Sequence, residues 1–279
     1  MGGTTPTAST TLLPLPTGCS SALSDPMLAL LADILDDLER TRIANENRLR
    51  QLTRTATDKD GHDRGFGLTV DMPEVATVAA VVESISALER QATLTLKRGL
   101  RTHRLGPWVK ATVGVGEKQG ARLLAAIGDP YWNTLHDRPR TVSELWAFSG
   151  YHVLRGGDPG HIVHDTHEPF AGVAPSRTKG QKSNWSSAAK MRAYLVAEAC
   201  MKQRTSPYRV VYDVTRAKYA DAVHGLNCRR CGPAGKPALV GSALSDGHKH
   251  ARALRAVAKE VLRDLWRESK RLHELEETA

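Results

Sequence analysis

The sequence predicts a mostly α protein with three parts: a long helical hairpin or coiled coil, a helix-hairpin-helix, and a small helical domain with irregular insertions. Three observations carry this expectation. Apolar residues recur at three-and-four spacing over long stretches. Pro and Ser/Thr stand where such stretches begin and Gly where they end. No segment keeps the period-two alternation of a half-buried strand. With 41% hydrophobic residues in 279, the chain can bury one sizeable core or two small ones.

Taken in order, residues 1–24 are dominated by Thr, Ser, Pro and Gly and predict a disordered leader. Residues 25–104 form the predicted hairpin or coiled coil. Its first helix opens at Asp25-Pro26 and carries Leu28, Leu31, Leu35, Leu38, Leu49 and Leu52 at heptad spacing. A Gly- and charge-rich break, 57–72, precedes a second helix opening at Pro73, with Val78, Val81, Ile85, Leu88, Ala92 and Leu96 as its stripe. Two such stripes satisfy each other in an antiparallel hairpin or in a dimeric coiled coil, and the sequence leaves that choice open.

Residues 105–279 make up the helix-hairpin-helix and the small helical domain. The run from Thr112 to Gly128 sets Gly114 and Gly116 one residue apart between apolar helices, with Lys118 two residues further on. The glycines allow a turn closed to other residues and let the chain approach a phosphate without a Cβ in the way. N–H groups opening the next helix, its dipole and Lys118 would then meet that phosphate, while Val115 plugs the hairpin. This mode grips backbone without reading bases. The alternative is an ordinary αα-hairpin with a glycine turn. Beyond it, Thr141-Val-Ser-Glu144 is a capping box for a short helix. Residues 151–182 read as a loop, helices follow over 186–203 and 207–223, and the last helix spans 248–275 after an irregular stretch.

The net charge of +9 favours a polyanionic partner. The candidate nucleic-acid contacts are Gly114, Val115, Gly116, Lys118 and Arg122 in the hairpin, and Arg177, Lys179 and Lys182 beside Trp185. Arg252, Arg255 and Lys259 join them on a basic face of the last helix, for which a solvated face is the alternative. The four cysteines are too few and too uneven for a disulfide framework, and no apolar run reaches bilayer length. The expected place is therefore cytoplasmic, with no membrane partner.

Cys228-Arg-Arg-Cys231, with His248 and His250 beyond, resembles a zinc ligand set. Two free thiols in an exposed loop are the alternative. His161, His164 and His167 lie among acids in the 151–182 stretch and read as a solvated insertion.

The order of elements carries a resemblance: a long helical hairpin, Gly-Val-Gly closing in Ala126-Ile-Gly-Asp-Pro130, Ser143-Glu-Leu-Trp-Ala-Phe-Ser-Gly150, and Lys190-Met-Arg-Ala-Tyr-Leu195. Over about residues 27–275 the chain resembles the C-terminal half of the DEDD-type insertion-sequence transposases, also called Piv-like or bridge-RNA-guided recombinases. The resemblance implies DNA as partner, a structured RNA as a further one, and a serine that attacks DNA. Ser176 is the nearest candidate for that serine, followed by Ser149 and Ser183. It also implies an N-terminal ribonuclease-H-like domain with four metal-binding acids, for which this sequence has no counterpart, so the enzyme class stays open. The expected function is a DNA-binding, transposase-like protein of DNA transposition or recombination. A non-catalytic nucleic-acid-binding accessory protein and a coiled-coil interaction protein that self-associates are the alternatives.

Overall fold

The computed structural model describes residues 23–278 except 56, 63–64, 154–174, 176–179, 181, 226, 229–230 and 234–235. The described chain is mostly α, as the apolar periodicity predicts. Its helices are α1 (Pro26–Leu52), α2 (Pro73–Thr102), α3 (Gly106–Ala111), α4 (Glu117–Ile127), α5 (Val142–Phe148), α6 (Ser187–Lys202), α7 (Pro207–Lys218) and α8 (Asp246–Glu277). One departure is a two-stranded antiparallel pair, β1 (Trp132–Asn133) with β2 (Arg138–Pro139), too short to leave an alternating signal.

The predicted caps form. The Asp25 carboxylate accepts from the Met27 and Leu28 N–H groups and starts α1. Thr141 and Glu144 make the reciprocal capping box of α5. Ser186 and Ser206 cap α6 and α7. Gly128 ends α4 at φ 70°, a backbone angle that costs glycine little. Helix α7 stops at Lys218, five residues before the predicted end at Val223, because Val223 pairs instead with Ala243.

Helices α1 and α2 pair antiparallel within the chain, since Leu28 reaches Gly99 at one end and Arg42 meets Glu89 at 2.5 Å further along. The α1 stripe is as expected, with Leu28 and Leu35 fully buried. The α2 stripe is rotated by about one position. Its buried face is Val75, Val82, Leu96 and Leu100, while Val78, Val81 and Leu88 stay exposed. The heptad series 75, 82, 89, 96 has a glutamate at its third place, so a reading of apolar residues alone skips the true face.

The hairpin's base joins one hydrophobic cluster that runs through α4, α5 and α6 to α8, from Leu28 to Leu265. Helix α8 forms the spine of the C-terminal part, burying Leu254, Val257, Val261, Leu262 and Leu265 against its neighbours. The end of the predicted leader is also fixed. Leu23 is buried, its N–H donates to Asp129 at 2.7 Å, and the His103 ring meets its carbonyl. A single buried carboxylate thus ties down the chain's entry, and residues 1–22 lie outside the described residues.

Asp129 is the junction of these elements. It accepts from the N–H groups of Leu23, Tyr131 and Trp132, from the Ser269 hydroxyl and from the His273 ring. Burial pushes this carboxyl up, but the converging donors outweigh it and hold it below the usual aspartate range. At His103 burial wins instead. Burial holds its ring neutral, lowering its pKa, and the Leu105 N–H donates to Nδ1, so Nε2 carries the proton and donates to Leu23.

Candidate nucleic-acid interface and candidate metal centre

The helix-hairpin-helix forms as α3 and α4 joined by 112–116. Val115 is buried between them, as expected of a plug. Gly114 and Gly116 both have positive φ, 100° and 69°, but their roles differ. A Cβ on Gly114 would press on the Cys200 backbone and the Ser206 hydroxyl, each at 2.9 Å. That glycine lets the turn pack on the end of α6, and it does not face a ligand. A Cβ on Gly116 would meet nothing within 4 Å. Gly116 caps α4 with no side chain bonded to the cap, so the first N–H groups of this helix point past an open glycine. A third glycine, Gly120, lies under Val109 and sets the close approach of α3 to α4.

The hairpin's cations turn inward. Arg122 is buried, and its guanidinium binds Asp36 and Glu39, with Nε on Asp36 at 2.7 Å. Arg192 also binds Asp36. Lys118 reaches Glu39 at 2.6 Å and Glu89 at 3.6 Å. Burial pushes the Glu39 carboxyl up, and hydrogen bonds from Arg122 and Lys118 more than reverse this, leaving it below the ordinary range. Arg122 is therefore corrected from a phosphate contact to a core ion-pair partner that joins α4 to α1. The acids that hold it lie on α1, out of reach of any local motif. Lys118 keeps about a third of its exposure, at 30%, and stands beside the open glycine's helix turn while paired. Lys110, on α3, is an exposed cation of the hairpin that the motif reading passed over.

The basic face of α8 is similarly engaged. Arg252 lies over the Tyr219 ring at 4.9 Å, and Arg255 donates to the Tyr151 and His152 carbonyls at 2.6 and 2.7 Å. Lys259 stands 3.8 Å over the Trp146 ring, whose N–H donates back to the Lys259 carbonyl. Burial lowers the pKa of both Arg255 and Lys259. These contacts fasten α8 to its neighbours, and all three residues are half-buried. Lys182 is exposed, whereas Arg177, Lys179 and Ser176 lie outside the described residues, as do His161, His164 and His167. Trp185 covers Gly150 and carries Lys190 at 4.8 Å over its ring, so it anchors the start of α6. Ser149 is fully buried and Ser183 donates to the Trp185 carbonyl.

The second site lies where a short antiparallel arm meets α8. Its two sides pair through Cys228 and Ala238, whose N–H and C=O groups exchange bonds at 2.9 Å, and through His224 N–H to the Ser242 carbonyl at 2.8 Å. This arm brings His224, Cys228 and Cys231 to His248 in the first turn of α8, with all four ligand atoms within 4.8 Å of one another. Cys228 and Cys231 Sγ lie 3.9 and 3.4 Å from His248 Nδ1. In a tetrahedral zinc site the sulfur-to-nitrogen edge is about 3.5 Å, from bond lengths of about 2.3 and 2.0 Å. The four side chains therefore form a His2Cys2 set that could hold a metal ion such as zinc.

His224 replaces His250 in the predicted set. The His250 Nδ1 is bonded to the Tyr212 hydroxyl at 2.7 Å, which points its ring at α7. His224 sits only four residues before Cys228, in a loop with no periodicity to orient it, and the sequence reading passed over it. Its Nε2 is buried without a hydrogen-bond partner, an arrangement that costs free energy unless a ligand meets it.

No family model matches the chain, and no curated protein matches it.

Proposed function

We propose that this is a DNA-binding, transposase-like protein that acts in DNA transposition or recombination and grips the backbone through its helix-hairpin-helix. The observation that supports this best is Gly116, an open, positive-φ glycine at the uncapped N-terminus of α4. Such a terminus offers N–H donors and a partial positive charge to an anion. Exposed Lys110 and the partly exposed Lys118 add charge on the same hairpin. The order of elements that resembles the transposases supports the recombination setting. The metal of the His2Cys2 cluster is zinc in this reading, because two thiolates and two imidazoles at this spacing suit zinc above the harder divalent ions.

The test is binding to random-sequence duplex DNA by fluorescence anisotropy over a salt series. Affinity is expected to fall with salt with a log–log slope of about −0.9 per phosphate neutralised. Lys110→Gln should weaken binding on every sequence alike and reduce that slope by about one. Gly116→Ala should weaken it without altering the helical circular dichroism. Absence of salt-dependent binding would overturn the reading. Formation of a covalent protein–DNA adduct that Ser176→Ala abolishes would select a catalytic role over an accessory one.

A further inference from the structure

Resting on the zinc reading of the His2Cys2 cluster, we infer that the metal is a closed structural staple. It forms the core of the 222–245 arm and locks that arm onto the first turn of α8, and it has no catalytic role.

The arm cannot hold itself together by burial. Among its described residues only His224 and Leu244 are buried, while Val223, Leu239 and Val240 are exposed. Its ladder consists of two isolated bridges, and a two-stranded hairpin without a hydrophobic face is marginal in water. Something else must offset the entropy of ordering it.

The four ligands come from both sides of the joint, three from the arm and His248 from the helix. Four protein donors fill a tetrahedral shell, leaving no position for water or substrate. The surroundings fit a thiolate-bearing site. The Ser245 hydroxyl caps α8 by accepting from the His248 N–H and lies 3.0 Å from Cys231 Sγ. A metal-bound thiolate has no hydrogen of its own, so in the zinc form the hydroxyl donates to the sulfur and the helix cap also orients a ligand. Gly232, directly after the second cysteine, lies against the Lys236 carbonyl oxygen, so that only a residue without a Cβ permits the turn. The His224 ring is buried with its Nε2 unpartnered, and it is one of the four side chains that converge there.

The joint also limits the damage of metal loss. The start of α8 is held independently by α7 and the turn after it, through Arg216 to the Asp246 carbonyl at 2.9 Å, Lys249 to the Ala220 carbonyl at 2.6 Å, and Tyr212 to His250. Metal removal should therefore free the arm and leave the helical cluster folded.

The experiment uses the full chain. Metal analysis of protein purified without added chelator should find about one zinc per chain, and cobalt substitution should give a thiolate-to-metal charge-transfer band. His224→Ala and Cys231→Ser should lose both, and His250→Ala should keep both. Hydrogen exchange is then compared between the zinc form and protein stripped with EDTA. The amides of His224, Cys228, Ala238 and Gly241 should exchange about tenfold faster or more after stripping, with those of α4 and α6 unchanged. A chain that carries no zinc and shows no cobalt band overturns both the zinc reading and the staple. A chain that binds zinc but has the same arm protection with and without it overturns the staple alone.

Discussion

The helix-hairpin-helix and the metal arm are both short irregular connections between helices, yet they are held by opposite means. The hairpin inserts Val115 into the main hydrophobic cluster and packs Gly114 on α6 and Gly120 under Val109. The arm buries almost nothing apolar and instead brings three candidate metal ligands to a fourth, His248 on α8. A turn joined to a core draws its order from packing and survives changes of solution, whereas a turn outside the core depends on a ligand and responds to that ligand's removal. The difference also separates the two candidate functions, since a packed turn presents a rigid backbone surface and a ligated turn presents a joint.

The largest expected effect lies under the hairpin. Asp36→Ala removes the carboxylate shared by Arg122 and Arg192, two guanidiniums that are 2% and 7% exposed. Breaking a buried pair costs about 3–5 kcal/mol, and the low end applies because Asp36 itself keeps partial exposure. Urea unfolding should show a lower midpoint at unchanged slope. An unaltered midpoint would mean that the hairpin is held by its apolar contacts alone. Gly120→Ala comes next, at about 1–3 kcal/mol, because a methyl group there overpacks Val109. EDTA, by contrast, should leave the main unfolding transition in place and affect only the arm. If EDTA shifts that transition as far as Asp36→Ala does, the contrast between the two regions fails.

How legible each region was follows from the same physics. The capped helices could be read because caps and apolar periods are local, as Asp25, Thr141 and Ser206 show. The hairpin turn could be read from Gly-Val-Gly, but which glycine faces solvent could not, because Cys200 and Ser206 approach it from far along the chain. Arg122 was misassigned for the same reason, its acids being 83 and 86 residues away. In the metal set, Cys228-x-x-Cys231 declared itself by spacing, whereas the choice of His224 over His250 depends on Tyr212, which draws His250 toward α7. Local chemistry was visible in the sequence, while the long-range partner that settles each side chain's role was not.

Acid should loosen the molecule at the junction of α2, α4 and α8 in two stages. His103 has a folded pKa below its unfolded value, so the unfolded chain binds the proton more readily. Its contribution is fully present above about pH 6.5 and declines as pH falls from there. Asp129 is also depressed, so its contribution is complete above about pH 4 and is lost as pH falls through the folded pKa. Thermal midpoints measured from pH 8 to 3 should fall gently at first and then more steeply. The substitution His103→Gln should flatten only the first part, and a curve that this variant shares with the parent chain would remove His103 as a cause.

The smallest effect is expected at Ser149, and its smallness is informative. The resemblance to transposases makes this serine a candidate nucleophile, but its side chain is fully buried and its hydroxyl has no hydrogen-bond partner. A hydroxyl in that setting is desolvated without compensation, so replacing it with a methyl-sized group relieves a cost. Ser149→Ala should change stability by less than about 1 kcal/mol, in the stabilising direction, because the volume lost is small and no bond is broken. It should leave DNA affinity at every salt concentration as it was. A destabilised variant would reveal a partner for that hydroxyl. Loss of a DNA adduct in Ser149→Ala, with Ser176→Ala still forming one, would show that the buried serine becomes exposed when DNA binds. The rigid packing ascribed to the hairpin's surroundings would then give way to a moving joint on that side too.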